Sequence, residues 1–350
     1  MKITRREFVG AAVAMAASPA FARNESEIRA VLLHMGWNMW GEWRAPGEPK
    51  VEGKRYTRDE IHFSEDGWRR ITGHAKEKGL NMVVMDLGEF LVYPRHPELA
   101  VKGSWSADRM REELRRLRSM GLEPIPKMNF SASHHMWLKE YSRMLSTRQY
   151  YQVCADIIRD VSEIFERPRF IHLGFDEEAT ENQKGRLVVG LRQDDMWWHD
   201  LKWFVRGVEK LGSRAWIFSD YGWHHKGFVE KCPKSVLQSN WYYNEGAKGF
   251  DVDKMPDWYK PRMHLFAELD KAGFDQVPCP SNWMSKTLKE SGRKDNSDCA
   301  EKLVKYCRAN ISAERLKGFM MAPWAECRSE GGVKINCEGI DQIAAAMETT

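Results

Sequence analysis

The chain has 350 residues, and its 54 Lys and Arg stand against 50 Asp and Glu, for a formal net charge of +4 at pH 7. The basic residues are spread among acidic ones and form no runs, which argues against a nucleic-acid-binding protein. The 15 tryptophans are a second feature of the composition, because their flat, amphipathic rings stack on sugar faces when they lie at loop tips and otherwise fill a core.

The first 22 residues are typical of an export signal. Arg5 and Arg6 precede an apolar stretch of small residues, and residues 18–22 provide a small-residue cleavage site. The paired arginines look like a twin-arginine signal, which the Tat translocase of a bacterial inner membrane reads. We predict cleavage near Ala22 and a periplasmic or secreted protein. The alternative, an uncleaved membrane anchor, needs a longer apolar stretch.

Short apolar runs alternate with longer amphipathic patterns along residues 23–350. About eight repeats of this alternation predict an α/β fold with parallel strands, a (β/α)8 TIM barrel in one domain. An open doubly wound sheet is the alternative, but no glycine-rich phosphate turn follows the first strand. The predicted strands are residues 29–36, 79–87, 122–128, 170–175, 214–218, 236–241, 273–277 and 316–321. The predicted helices are residues 64–78, 107–120, 147–165, 194–211, 298–309 and 339–347.

Cysteine and histidine give a weak metal signal. The seven cysteines form no C-x-x-C pair and no zinc-type spacing, and we assign no disulfide. The histidine pairs at 134–135 and 224–225 follow predicted strands and could build a metallohydrolase site with Asp86 and Asp220. Adjacent side chains point apart, however, and no His-x-His follows the first strand. We therefore predict neither a metal nor a cofactor.

The fourth predicted strand leads into three consecutive carboxylates, Asp176, Glu177 and Glu178. The apolar run before them is buried, and the active sites of parallel barrels lie at the carboxyl ends of the strands. Neighbouring acids raise one another's pKa, which suits a general acid that works near neutral pH. Because successive side chains of a strand alternate in direction, Glu177 should project above the pocket and Asp176 should lie lower. We interpret Glu178 as a solvated loop acid.

The other strand ends share one chemical pattern, in which aromatic rings accompany Asp, Glu, Asn and His. Such a mouth suits a carbohydrate, because rings stack on its C–H faces while polar side chains hold its hydroxyls. His172 has a second interpretation, as a buried histidine that supports the pocket. The predicted substrate-binding residues are Trp37, Asn129, His135, His172, Asp220, Trp223, Trp241, Tyr243, Trp283, Trp324 and Glu326.

The run His172-Leu173-Gly174-Phe175-Asp176-Glu177 resembles the H-x-G-G-D-E strand of the β-N-acetylhexosaminidases, glycoside hydrolase family 20, which are barrel enzymes. The resemblance implies that Asp176 orients the 2-acetamido group of the substrate and that Glu177 is the general acid/base. Residues 216–223 are similar to the family's Trp- and Asp-bearing fifth strand. Residues 324–326 are similar to its W-T-E ending on strand eight, where the Trp lines the sugar pocket and the Glu binds a hydroxyl.

Three departures from the family pattern favour a divergent member with a different sugar preference. Phe175 replaces the second glycine of the motif. The family's hydroxyl-binding arginine at the end of strand one has no clear counterpart, Arg44 being the nearest candidate. Because the predicted strand one directly follows the predicted signal, we also expect no accessory domain of the kind that the family usually has at the N-terminus.

The adjacent acids Asp176 and Glu177 do not easily flank a sugar as acid and nucleophile. They suit substrate-assisted hydrolysis, in which the N-acetyl oxygen of the substrate attacks the anomeric carbon. One alternative keeps Glu177 as acid/base and uses Glu326 as the second carboxylate of a two-carboxylate glycosidase. The other alternative is a non-catalytic carbohydrate-binding barrel.

Overall fold

The computed structural model describes residues 26–243, 250–290, 292 and 294–349. The predicted signal peptide therefore lies outside the described residues. Within them, seven strands form one parallel sheet in the order β6-β5-β4-β3-β2-β1-β7. The strands are β1 (Ile28–His34), β2 (Met82–Asp86), β3 (Glu123–Lys127), β4 (Phe170–His172), β5 (Arg214–Phe218), β6 (Leu237–Ser239) and β7 (Gly318–Met321).

Helices follow the strands and cover the outside of the sheet, where a large apolar core separates the two layers. Four of these helices begin at a hydroxyl side chain that caps a backbone N–H, as Ser64 does for Gly67 and Thr147 for Tyr150. The helices are α1 (Glu65–Glu77), α2 (Ala107–Ser119), α3 (Arg148–Ile164), α4 (Asp194–Lys210), α5 (Phe228–Lys231), α6 (Lys260–Lys271), α7 (Lys286–Glu290), α8 (Cys299–Asn310) and α9 (Glu330–Glu348).

The alternation of strands and helices predicted from the sequence is confirmed, with two corrections. Residues 273–277 form no regular strand, and α9 begins at Glu330, nine residues ahead of the predicted start at 339. Among the residues that the structure describes, no helix combines the length and the apolar composition of a membrane span.

An irregular segment takes the place of the missing strand between β6 and β7. Gln276 makes parallel bridges to Gln238 on one side and to Leu316 on the other. Further along, Pro278 and Pro280 accept hydrogen bonds from the β7 side, at 3.1 and 3.0 Å. Because proline has no N–H to donate, the ladder is interrupted here and no continuous strand forms. The sheet still curls into an α/β barrel, with this segment linking its two edge strands.

The interior of the barrel changes from apolar to polar at the carboxyl ends of the strands. Its lower part is filled by apolar side chains that include Leu32, Val84 and Ile125. Two residues further along the first four strands, the positions in register are His34, Asp86, Lys127 and His172. A buried polar layer therefore lies directly beneath the loops that carry the candidate site.

Candidate active site

The acid pair lies at the end of β4, on a backbone that bends sharply. Gly174, Phe175 and Glu177 have φ values of 80°, 67° and 57°, in the left-handed region that favours glycine. Non-glycine residues in this region store strain and cluster at functional sites. The glycine that the family motif has at position 175 is therefore the residue this backbone favours.

Packing explains how Phe175 is accommodated at that position. Its side chain is fully buried, with ring centroids 5.7 Å from Trp197 and 5.4 Å from Phe204. The guanidinium of Arg192 lies 4.6 Å from its centroid. A buried aromatic side chain contributes roughly 3 kcal/mol or more relative to a truncated one, which outweighs a strain of about 1–3 kcal/mol.

The two acids differ in their access to solvent. Asp176 is 7 % exposed, whereas 37 % of the Glu177 side chain is open to solvent. Asp176 therefore lies deeper and Glu177 reaches the surface of the site, which is the order expected from the turn at the strand end.

His134 joins the two carboxylates. Its Nδ1 lies 3.3 Å from Oδ2 of Asp176, and its Nε2 lies 3.2 Å from Oε2 of Glu177. Burial alone would lower the pKa of His134, but the two carboxylates raise it to about 10. The ring is therefore a cation at neutral pH. His134 is not among the substrate-binding residues predicted from the sequence, whereas its neighbour His135 is.

His135 lies away from the acids. It is buried, and its ring centroid is 6.0 Å from that of Tyr150 on α3. Burial and the nearby charges of Arg192 and Arg186 lower its pKa to about 3. The prediction that His135 contacts the substrate is wrong, because it turns into the layer between the sheet and the helices.

Asp176 is held by a second set of hydrogen bonds. The hydroxyl of Ser131 donates to Oδ1 of Asp176 at 2.9 Å, and the Asp176 N–H donates back to Ser131 Oγ at 3.0 Å. Burial would raise the pKa of this carboxyl group, but His134, Lys127 and Ser131 together bring it below its ordinary value. Asp176 is therefore an ionised, fixed hydrogen-bond acceptor.

Asp220, from the turn after β5, anchors the backbone of the acid pair. Its Oδ2 accepts the N–H of Glu177 at 2.8 Å, and its Oδ1 lies 3.4 Å from Nε1 of Trp241. Burial raises the pKa of Asp220 to about 7, and the charges of Asp176 and Glu177 add to the shift.

We expect Asp220 to make stability depend on pH in a defined window. Because its folded-state pKa, about 7, exceeds its ordinary value of 3.8, the folded state binds its proton more tightly. The stability that this protonation confers is complete below pH 3.8 and is lost as the pH rises to about 7. The free energy of unfolding in urea, measured from pH 4 to pH 8 for the native protein and for Asp220→Asn, checks this. A difference between the two proteins that does not change with pH would contradict it.

Four aromatic rings form a continuous wall beside the acids. Trp241 lies 4.4 Å from Trp223 and 4.7 Å from Tyr243, and Tyr243 lies 6.3 Å from Trp324, between ring centroids. Burial raises the pKa of Tyr243, and the charges of Cys279, Asp176 and Glu177 raise it further. Like Asp220, these four predicted residues are brought together with the acids.

The remaining predicted residues lie elsewhere. Asn129 belongs to the buried polar layer and donates to Asp86 at 2.5 Å. Trp37 lies on the far side of His34, at 5.6 Å between ring centroids. Trp283 is 42 % exposed on the loop before α7. The carboxylate of Glu326 accepts the N–H of Ser329 at 2.8 Å and so caps the start of α9.

The polar layer supplies positive charge below Asp176. Nζ of Lys127 donates to Oδ2 of Asp86 at 2.9 Å, and Nδ1 of His34 lies 3.1 Å from the same oxygen. Burial would raise the pKa of Asp86, but Lys127 and His34 lower it to about 2. Burial lowers the pKa of His172. Among the described residues, Nε2 of His34 and Nε2 of His172 have no hydrogen-bond partner.

Glu178 is buried, and its interpretation as a solvated loop acid is wrong. Nε of Arg192 lies 3.2 Å from Oε2 of Glu178, and the Ala132 N–H donates to Oε1 at 2.8 Å. Arg192 also donates to the carbonyl of Phe130 at 2.7 Å and lies 3.4 Å from Asp200. The ion pair of Glu178 and Arg192 therefore holds the loop after the acids against the loop after β3 and against α4.

The two histidine pairs do not come together with Asp86 and Asp220 in one site. His225 stacks on Tyr221 at 3.6 Å between ring centroids, while His134 is held between Asp176 and Glu177. Within residues 26–243, 250–290, 292 and 294–349, no group of three or more His, Cys, Asp or Glu side chains is arranged to hold a metal ion.

Comparison with known proteins identifies the fold. No family model matches the sequence, and no curated protein matches it. A solved β-N-acetylhexosaminidase from Bacteroides fragilis is similar, with a TM-score of 0.58 and 12 % identity, over 89 % of this chain and 65 % of that one. The Streptomyces plicatus N-acetyl-β-hexosaminidase matches with a TM-score of 0.57 and 12 % identity, over 90 % and 63 %. Dispersin B matches with a TM-score of 0.54 and 12 % identity, over 81 % and 94 %.

These likenesses confirm, for the fold, the resemblance that the motif predicted. The barrel is of the kind found in the hexosaminidases of glycoside hydrolase family 20. The chain spans 65 % and 63 % of the two hexosaminidase chains, less than two thirds of their length.

Proposed function

We propose that the protein is a glycoside hydrolase that acts on 2-acetamido sugars by a substrate-assisted, retaining mechanism. The observation that carries the proposal is the pairing of a solvent-accessible Glu177 with a buried, ionised Asp176, both in contact with His134. These groups lie at the carboxyl end of a barrel strand, where barrel enzymes carry their chemistry. The solved hexosaminidases with the same fold support the choice of substrate.

In this mechanism Glu177 donates a proton to the glycosidic oxygen while the bond from that oxygen to the anomeric carbon breaks. The acetamido oxygen of the substrate attacks the anomeric carbon and forms a cyclic oxazolinium ion, whose N–H Asp176 accepts and whose positive charge it stabilises. The Glu177 carboxylate then removes a proton from water as the water oxygen attacks the anomeric carbon, and the bond between that carbon and the acetamido oxygen breaks, which restores the acetamido group. Two displacements at one carbon leave the configuration retained.

The surrounding residues hold the acids in place for these steps. Asp220 fixes the backbone N–H of Glu177, and Ser131 fixes one oxygen of Asp176. Lys127 and the His134 cation keep Asp176 ionised, so that it can accept the acetamido N–H. The aromatic wall offers faces for the sugar ring, and such a supporting shell is what a catalytic pair requires.

The hydrogen bonds of Glu326 argue against the two-carboxylate alternative. Its carboxylate is occupied by the N–H groups of Arg328 and Ser329 and by the Ser329 hydroxyl. The nucleophile of a two-carboxylate glycosidase must face the anomeric carbon from the side of the sugar opposite to the acid. The Glu326 carboxylate is instead bound to the start of α9, which argues against this role. A non-catalytic carbohydrate-binding barrel would hydrolyse no glycoside, so assays of the native protein with aryl β-glycosides distinguish it from an enzyme.

Replacing Asp176 by Asn should impair chiefly substrates that carry a 2-acetamido group. The amide cannot stabilise the positive charge of the oxazolinium ion, so kcat should fall by about 10²-fold or more on such substrates. Aryl β-glycosides of N-acetylglucosamine, N-acetylgalactosamine and glucose, assayed with the native protein and the variant, test this. Equal losses on the glucoside and on the acetamido substrates would contradict the substrate-assisted mechanism.

Export through the twin-arginine pathway is part of the same proposal, which places the enzyme in the periplasm or outside the cell. The paired arginines and the small residues before position 22 support it. N-terminal sequencing of the protein from a periplasmic fraction should find a start near residue 23, and retention of residues 1–22 would contradict cleavage.

A further inference from the structure

Three arginines gather around Trp37, beside the mouth of the candidate site. The guanidinium of Arg55 lies 5.7 Å from the ring centroid of Trp37. Nη1 of Arg328 lies 3.4 Å from Nδ1 of His62, whose ring is 5.9 Å from that of Trp37. Burial and the charge of Arg58 lower the pKa of His62, Glu326 raises it, and Arg328 and Arg55 lower it further. We call Arg55, Arg58 and Arg328 the arginine cluster.

The guanidinium groups of the arginine cluster form no ion pair with the acids of the described residues. Most arginines of this chain lie beside a carboxylate, as Arg143 does with Glu48 at 2.6 Å. Within the described ranges, no guanidinium nitrogen of the three clustered arginines has a carboxylate oxygen within 4.0 Å, although the backbone N–H of Arg328 donates to Glu326. The charge of Glu326 raises the pKa of His62, but its carboxylate also accepts the N–H of Ser329 at the start of α9. Three like charges in one place raise the local potential and attract anions.

The loop that carries the cluster is held in a fixed shape. The side chain of Asn38 accepts the N–H of Arg58 at 2.7 Å and donates to its carbonyl at 2.9 Å. The backbone N–H groups of Trp37 and Asn38 in turn donate to the buried carboxylate of Glu89, at 2.7 and 3.1 Å. Residues 50–58 line a cavity of about 640 Å³. The backbone of Arg58 is therefore held in place before any ligand binds, and Arg55 and Arg58 are both exposed.

A short series of ring contacts connects the cluster to the acids. Trp37 lies 5.6 Å from His34, His34 lies 5.3 Å from Trp324, and Trp324 lies 6.3 Å from Tyr243, between ring centroids. Arg186 also ties the two sides together, because it donates to the Gly41 carbonyl at 2.8 Å and to the Ser133 carbonyl at 2.9 Å. A continuous series of packed side chains therefore joins the cluster to the candidate site, and a bound glycan that extends from the acids toward Trp37 would meet the cluster.

We propose that the arginine cluster is a subsite for an anionic group, a sulfate ester or a uronate carboxylate, and that the preferred substrate is an acidic glycan. Guanidinium groups bind such oxyanions through paired, charge-assisted hydrogen bonds, which suits a planar, permanently charged side chain. Trp37 supplies a ring face for the sugar that carries the charge. The nature of the ligand rests on the proposed glycosidase function, whereas the preference for an anion rests on the cluster alone.

Calorimetric titration of the full-length Glu177→Gln variant, which should bind glycans without hydrolysing them, tests the subsite. The ligands are neutral chitin oligosaccharides, carboxylated hyaluronan oligosaccharides and sulfated chondroitin oligosaccharides. We expect at least one acidic series to bind about tenfold or more tightly than the neutral one, with the difference shrinking as salt rises from 50 to 500 mM. Adding Arg55→Gln and Arg58→Gln should bring the ratio close to one.

The matched control is Arg206→Gln, which removes an exposed positive charge from α4 and should leave the ratio unchanged. Because chondroitin sulfate also carries uronates, tighter binding of it than of hyaluronan identifies a sulfate ester, whereas equally tight binding of the two acidic series identifies a uronate carboxylate. Equal binding of neutral and acidic ligands, or a preference that survives both substitutions, overturns the inference. A glycan-binding protein without turnover would fail the proposed function yet keep the anion preference, so the two failures are distinguishable.

Discussion

The Glu177→Gln variant is expected to hydrolyse aryl 2-acetamido glycosides about 10²–10⁴-fold more slowly than the native enzyme. The amide keeps the size of the side chain but cannot donate a proton to the leaving group. Because Glu177 is partly exposed and its contacts are with His134 and the solvent side of the site, the fold should not depend on its charge. The measurement is kcat and kcat/KM on a series of aryl glycosides whose leaving groups differ in pKa.

The loss should be smallest for the most acidic leaving group, which departs without a proton. Glu181→Gln is a matched control, since Glu181 is an exposed acid four residues further along the chain; its activity should be close to that of the native protein. Equal melting temperatures for the three proteins would show that the change is chemical. Undiminished activity in Glu177→Gln would remove this residue from the role of general acid.

Most of the strands could be predicted because they are short apolar runs between helical patterns. Their signal is local in the sequence, and β5 occupies the predicted residues, 214–218. Residues 273–277 carry a similar apolar signal, but the pairing there depends on Pro278 and Pro280, which cannot donate to a ladder. Regular strand geometry is a property of both partners, so a pattern in one segment does not determine it.

The start of α9 was missed for a related reason. Gly331 and Gly332 have low helix propensity, and the sequence signal therefore begins later. In the fold, Gly332 packs so closely on the turn before it that a Cβ atom would lie 2.3 Å from the Glu326 carbonyl oxygen. Tertiary contact requires a glycine inside the helix, and no local rule predicts it.

The position of the acid pair could be predicted, but its partners could not. A strand followed by acids identifies Asp176 and Glu177, because the carboxyl end of a barrel strand is a fixed location. The choice between His134 and His135, and the burial of Glu178, depend on which way loop side chains turn. The alternation of side-chain direction along a strand no longer holds beyond the strand end. The residue that neutralises the charge of Glu178 is Arg192, 14 residues further along the chain, and no local pattern predicts that contact.

Replacing Arg192 by Met should destabilise the protein by about 3–5 kcal/mol, because it leaves buried carboxylates without their counter-charge. The Arg192 side chain is fully buried against Glu178 and Asp200, and a methionine restores volume but no charge. The free energy of unfolding in urea is the measurement, with Arg206→Met, an exposed position, expected to change it by less than about 0.5 kcal/mol. Adding Glu178→Gln to Arg192→Met should recover part of the loss, since one stranded charge is then removed. A loss below about 1 kcal/mol in Arg192→Met would mean that water or a local rearrangement solvates Glu178, and the loop after the acid pair would then be held by packing and not by this ion pair.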